Sequence, residues 1–196
     1  MKSLPITTNI KILMKIPYLL YLWLLYSTSK NKAIINSDIE AWAQYRDYID
    51  VHHLNYSLLR LLALQPEFVS QFKMRLGFMG HFVSGGGVNC ELPHTESIGR
   101  GFVFMHGIGT VFNCAAQLGN HCMVLHNVTI GAGHGGAPTL GNYVYVGAGA
   151  IIIGGVHIGD HVKIGAGAIV VDDVPSNSTV VCDKARVLVR SRTNYS

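Results

Sequence analysis

Counting in sixes from Leu140 lands on Val146, Ile152, Ile158, Ile164 and Val170. The same count from Phe112 lands on Leu118, Val124 and Ile130, and a first block gives Leu92, Ile98 and Phe104. A glycine follows many of these positions: Gly99, Gly119, Gly131, Gly141, Gly147, Gly159 and Gly165. Two residues before them sit small or apolar groups: Ala116, Cys122, Val128, Val144, Ala150, Val156, Val162 and Ala168. A strand repeats every two residues and a helix every 3.6. A sustained period of six therefore needs short strands that turn at fixed corners, the signature of a parallel β-helix. The aliphatic residues fill a prism, and the glycines occupy turns where a side chain would clash or φ would be positive. Cys122 falls on an inward position and reads as core.

The composition agrees with this geometry. Only 13% of the 196 residues are charged and 22 are glycine, which suits a turn-rich β architecture better than a helical bundle. The net charge of +4 is mild, and no basic run or zinc-finger spacing supports nucleic-acid binding. Cys90, Cys114, Cys122 and Cys182 form no CxxC pair and read as reduced thiols, which suits a cytoplasmic location.

The period of six does not reach the N-terminus. Residues 1–80 read as α-helical, 81–190 as the β-helix and 191–196 as a tail, with the boundary at HFVSGGG (81–87). DIEAWAQYRDYIDVHHLNYSLLRLLAL (38–64) is nearly free of glycine and proline, and Ser37 or Asp38 is a candidate cap. PEFVSQFKMRLG (66–77) opens on a proline and ends at Gly77. The apolar run IPYLLYLWLLY (16–26) is too short to cross a bilayer as an ordinary helix. Its tyrosines and tryptophan suit a packed helix or a peripheral contact with a membrane interface.

The register breaks twice. Two extra residues fall between Phe104 and Phe112, and four between Ile130 and Leu140, where GAGHGGAP (131–138) reads as a loop thrown out from the prism. With three hexads per coil, one column runs His106, His126, Ala148, Ala166. It starts with two imidazoles and continues with small residues, a groove for an extended ligand with a histidine at its end. No HxH or HExxH spacing supports a metal site.

LPHTESIGRGFVFMHGIGTVF, LHNVTIGAGHGG and VGAGAIIIGGVHIGDHVKIGAGAIVVDDVP together resemble the serine O-acetyltransferase group of left-handed β-helix acyltransferases, over about residues 88–190. The helical part looks like that of shorter relatives from exopolysaccharide and capsule synthesis. The resemblance implies acetyl-CoA as co-substrate, no metal, and a homotrimer of parallel prisms with active sites between subunits. It implies His106 as catalytic base and Glu91 as the carboxylate that orients it. It assigns the CoA groove to the GAG segments, Gly147, Ala148, Gly149, Gly165 and Ala166. Gly131 and Ala132 complete that groove, with Lys163 and Arg186 as candidate phosphate contacts. The chemistry fits, because an imidazole can take the proton of an attacking hydroxyl and a carboxylate can fix its tautomer.

Three departures shape the acceptor reading. Met105 stands where the serine enzymes carry aspartate. The loop has Ala137 before Pro138 in place of an Arg-His-Pro motif. The tail VVCDKARVLVR replaces the usual glycine-containing turn. A zwitterionic serine needs a charged partner for each end, whereas a sugar hydroxyl needs only hydrogen bonds. His126, Asn127 and His134 are the candidate acceptor contacts. The expected activity is O-acetylation of a sugar hydroxyl in a surface polysaccharide or its precursor. The alternatives are a serine O-acetyltransferase of cysteine biosynthesis and a non-catalytic trimeric β-helix scaffold.

Overall fold

The computed structural model describes residues 13–83, 87–93 and 95–183. Short strands line the three sides of a prism. They are β1 (Val103–Phe104), β2 (Val111–Phe112), β3 (Gln117–Leu118), β4 (Met123–Val124), β5 (Thr129–Gly131) and β6 (Thr139–Leu140). They continue with β7 (Tyr145–Val146), β8 (Ile151–Ile153), β9 (His157–Ile158), β10 (Lys163–Ile164), β11 (Ile169–Val170) and β12 (Thr179–Val180). Three parallel sheets result, β1-β4-β7-β10-β12, β2-β5-β8-β11 and β3-β6-β9. This is a left-handed parallel β-helix of about four turns. Its interior holds Ile98, Phe104, Phe112, Leu118, Val124, Ile130 and the later aliphatics of the period-six series, all buried. Cys122 is among them, and burial pushes its thiol up to about 11.

The register carries both irregularities. Phe104 pairs with Val124 but Phe112 with Ile130, so the first corner holds two more residues than the one below it. Leu118 pairs with Leu140, which takes up the four-residue insert. That insert is no free loop. Gly133 and Gly136 exchange backbone hydrogen bonds as a tight hairpin, and the His134 carbonyl accepts from Gly155 N–H at 3.0 Å. A third irregularity lies beyond the sequence count: Ile164 pairs with Val180, so the last turn is two residues shorter than its predecessor.

One corner is built from side-chain acceptors. Asn120, Asn142, Asp160 and Ser176 each accept a backbone N–H from the coil before, at 3.1, 2.9, 2.6 and 3.0 Å. The next residue in the first three of these turns is left-handed and aromatic: His121 (φ 56), Tyr143 (φ 57) and His161 (φ 58). Such backbone costs about 1–3 kcal/mol at a non-glycine residue. Ring stacking offsets it, with Tyr143 sandwiched between His121 at 5.0 Å and His161 at 4.8 Å.

The helices are α1 (Ile16–Thr28), α2 (Lys32–Ala43), α3 (Leu54–Leu64) and α4 (Pro66–Leu76). The helical reading of 38–64 needs correction, because turns interrupt it between Ala43 and Leu54. Asp38 does not cap a helix start. It lies inside α2, buried against Arg75 of α4. Gly77 ends α4 at φ 58, as the sequence suggests. Helices and prism share a core in which Trp42, Phe68 and Phe72 meet Val103 and Met105. In α1, Leu19, Leu22 and Tyr26 are buried, while Leu20, Trp23 and Leu24 stay exposed. Among the described residues no helix is long and apolar enough to cross a membrane.

Candidate active site

His106 sits in the two-residue excess of the first corner. The column expected from the sequence is displaced there. Asn127 N–H donates to the Ile108 carbonyl, Gly149 N–H to His126 and Gly167 N–H to Ala148. Ile108, and not His106, is therefore the corner equivalent of His126, Ala148 and Ala166. The extra length bulges the backbone, gives His106 a φ of 55, and turns its side chain outward, 63% exposed. Gly107 permits the bulge. A Cβ there would fall 1.9 Å from Phe104 Cζ. Despite the shift the two imidazoles remain neighbours, edge to face at 6.5 Å between centroids.

The carboxylate nearest His106 comes from the helical part. Glu67, in the first turn of α4, puts Oε1 3.7 Å from His106 Nδ1, with its side chain 12% exposed. Glu67 Oε2 and His126 Nδ1 are buried with no hydrogen-bond partner among the described residues. Arg46 ties the two chain segments together. Its Nη2 donates to Gln65 Oε1 at 3.3 Å and to Met105 Sδ at 3.2 Å, the residue before Pro66 and the residue before His106. Its guanidinium also lies over the Trp42 ring. Sequence reading singled out neither Glu67 nor Arg46. The one available signal was an acidic residue just after a helix-opening proline, which the helix dipole alone explains.

The other candidate residues divide between two corners. His126, Asn127, Gly147, Ala148, Gly149, Gly165 and Ala166 follow one another down the corner that His106 heads. Asn127 is left-handed at φ 54 and exposed. Below it nothing larger than a methyl group projects from Gly147–Gly149 or Gly165–Gly167. The coils also approach closely, since a Cβ on Gly147 would meet Ala166 N at 2.7 Å. The glycine N–H groups here bond from coil to coil, so such a corner offers an extended ligand room and the N–H groups of Ala148 and Ala166, which have no backbone acceptor among the described residues. Gly131, Ala132 and His134 belong to the next corner, across the β2-β5-β8-β11 sheet. Lys163 is exposed on β10, paired with Tyr145 and Thr179. Glu91 pairs through its backbone with Val111, and its exposed carboxylate makes no hydrogen bond or ion pair among the described residues. Arg186 and the 191–196 tail lie outside the described residues.

An exposed imidazole beside a carboxylate, at the head of a small-residue corner, is equipped to move a proton. The bacterial transferase hexapeptide (six repeats) family model matches residues 137–172. The serine acetyltransferase of Helicobacter pylori (strain ATCC 700392 / 26695) is 39% identical over 122 residues, covering 60% of this chain and 68% of that enzyme. This chain belongs to the serine acetyltransferase family of hexapeptide-repeat transferases. It is an acyltransferase. This acetyltransferase is also 41% identical over 102 residues to the putative colanic acid biosynthesis acetyltransferase WcaB of Escherichia coli K12, covering 50% of the chain and 63% of WcaB. Among solved structures, Neisseria gonorrhoeae serine acetyltransferase in complex with serine shares the fold at TM-score 0.58 and 28% identity. The match covers 81% of this chain and 69% of that one.

Proposed function

We propose that this acetyltransferase moves an acetyl group from acetyl-CoA to a hydroxyl of a sugar in a surface polysaccharide or its precursor. The observation that carries the mechanism is His106, outward on its bulge above a corner of small residues. His106 takes the hydroxyl proton as the oxygen attacks the thioester carbon, then returns it to the departing thiol. Transfer is direct. The resemblance assigns Glu91 to orient the ring, a role for which Glu67 is the structural rival. The groove for the co-substrate runs past Gly147–Gly149 and Gly165–Ala166, with Lys163 and Arg186 for its phosphates. Two features support the sugar acceptor: the similarity to WcaB, and Met105 and the Ala137-Pro138 segment where the resemblance puts an aspartate and an Arg-His-Pro motif.

The reading includes a homotrimer. Val111, Ile153, Ile169 and Val171 are exposed on the β2-β5-β8-β11 side, an apolar strip that a second copy would cover. Packing there would bring Gly131, Ala132 and His134 of one subunit to the His106 corner of the next, with His126, Asn127 and His134 contacting the acceptor. The exposed Leu20, Trp23 and Leu24 support a peripheral contact of α1 with the cytoplasmic face of the membrane. Flotation with liposomes tests it, and protein left wholly in the dense fraction would refute it.

Free serine is the second reading, and one observation favours it. From the helical part, Glu67 supplies an anion beside His106 and Arg46 a cation beside the adjacent Met105. The deciding experiment measures CoA release with serine and with a panel of nucleotide sugars and glycans, for wild type and His106→Ala. Glycan-dependent release that disappears in the variant supports the proposal. Release with serine alone transfers the mechanism to the second reading. Equal silence from both proteins across the panel favours a non-catalytic trimeric scaffold.

A further inference from the structure

We propose that Glu67 is the positioning residue of His106: its carboxylate holds Nδ1 protonated, so that Nε2 receives the acceptor proton. The inference rests on His106 being the base. It stands on three observations. Glu67 Oε1 lies 3.7 Å from Nδ1, within reach of a hydrogen bond after a shift of about 1 Å. Glu67 Oε2 is buried with no donor among the described residues, a costly state for a carboxylate oxygen that a turn of the carboxylate bringing it to His106 Nδ1 would relieve. Arg46, hydrogen-bonded to Gln65 and Met105, clamps the residues next to Pro66 and His106 at fixed separation. The Glu91 carboxylate, by contrast, is exposed and makes no hydrogen bond or ion pair among the described residues.

The proton balance is simple. The acceptor O–H bond breaks, its proton goes to Nε2, and the oxygen bonds to the acetyl carbon. The carbon–sulfur bond breaks and the Nε2 proton passes to the sulfur. Glu67 stays ionised throughout and stabilises the imidazolium between these steps. Among the described residues, Glu67 from α4 and His126 from the coil below approach the His106 ring, and Arg46 from the segment after α2 reaches the neighbouring Met105. The helical part would then be needed for catalysis as well as for packing.

The test is an NMR measurement of the ring tautomer in the full chain labelled with ¹⁵N in its histidine rings, with His106→Ala assigning the signal. Wild type should show the Nδ1–H tautomer. Glu67→Gln, which keeps the side chain's shape, should shift the His106 ring toward the Nε2–H tautomer. Glu91→Gln should move it less. Kinetically, Glu67→Gln should lower kcat roughly 10²-fold with KM for the acceptor within about threefold, and Glu67→Asp should restore part of the loss. An unchanged tautomer in Glu67→Gln, or a larger change in Glu91→Gln, would overturn the inference. So would a raised acceptor KM with kcat intact, because Glu67 would then bind the acceptor. The NMR signature does not depend on turnover. A shift in a protein that acetylates nothing would support the pairing and count against the proposed function alone.

Discussion

Arg75 grips Asp38 from the neighbouring helix, Nε to Oδ2 at 2.8 Å, with both side chains 1% exposed. The same guanidinium donates to the carbonyls of Ile98 at 2.7 Å and Gly99 at 2.6 Å, while Asp38 Oδ1 accepts from Phe102 N–H at 2.9 Å. Burial pushes the Asp38 carboxyl up, and Arg75 and its other donors work against that rise. The pair therefore fastens α2 and α4 to the first coil. Asp38→Ala leaves a buried guanidinium without its anion and should cost about 3–5 kcal/mol, measured as a lower denaturant midpoint. Because these helices carry Glu67, activity should fall before the β-helix unfolds.

His106→Ala should lower turnover about 10²–10⁴-fold and leave the melting temperature nearly unchanged. The residue is mostly exposed and contributes little packing. Steady-state rates together with a thermal scan check both halves of the statement.

Gly107→Ala should be damaging although the residue touches no substrate in the proposed mechanism. Its Cβ would fall inside the Phe104 ring, which is itself buried in the prism. Overpacking of this kind costs about 1–3 kcal/mol, and the bulge that presents His106 would have to move. The expected result is a lower unfolding midpoint together with a lower kcat.

The stack at the opposite corner gives a comparison of two variants. Tyr143→Ala keeps the left-handed backbone and loses both ring contacts, so it should destabilise by about 1–3 kcal/mol. Tyr143→Asn should cost less, since asparagine tolerates that backbone. Equal midpoints for the two variants would contradict the account of this corner.

Cysteine labelling checks the prism interior. At pH 8 the exposed Cys114 should react with a thiol reagent, whereas Cys122 should react only on unfolding. The Cys122 thiol is sealed in the core and raised to about 11, so little thiolate exists until the pH climbs well above 8. Mass spectrometry of peptides from native and denatured protein reads the difference.

Much of the prism was legible because its rules are local. Inward positions such as Val146 and Ile152 recur at a fixed interval, and each coil repeats the burial problem of the last. The two inserts were visible as interruptions of that interval. Which residues of the first corner were the surplus was not visible, since both His106 and Ile108 precede a glycine. Backbone pairing of Asn127 with Ile108 resolved it. The break in the helices between Ala43 and Leu54 was also hidden, because the stretch has no glycine or proline to mark it.

By itself, then, the sequence determined a hexad-repeat prism, its buried column and a histidine at an irregular corner. Only the tertiary structure decided which carboxylate meets that histidine. Periodicity orders residues within one winding chain. The approach of Glu67 to His106 depends on how a helix docks onto the first coil, through Arg75, Asp38 and the shared core of Trp42, Phe68 and Met105. That docking is a matter of surface fit between segments with different periods, and no spacing along the chain encodes it.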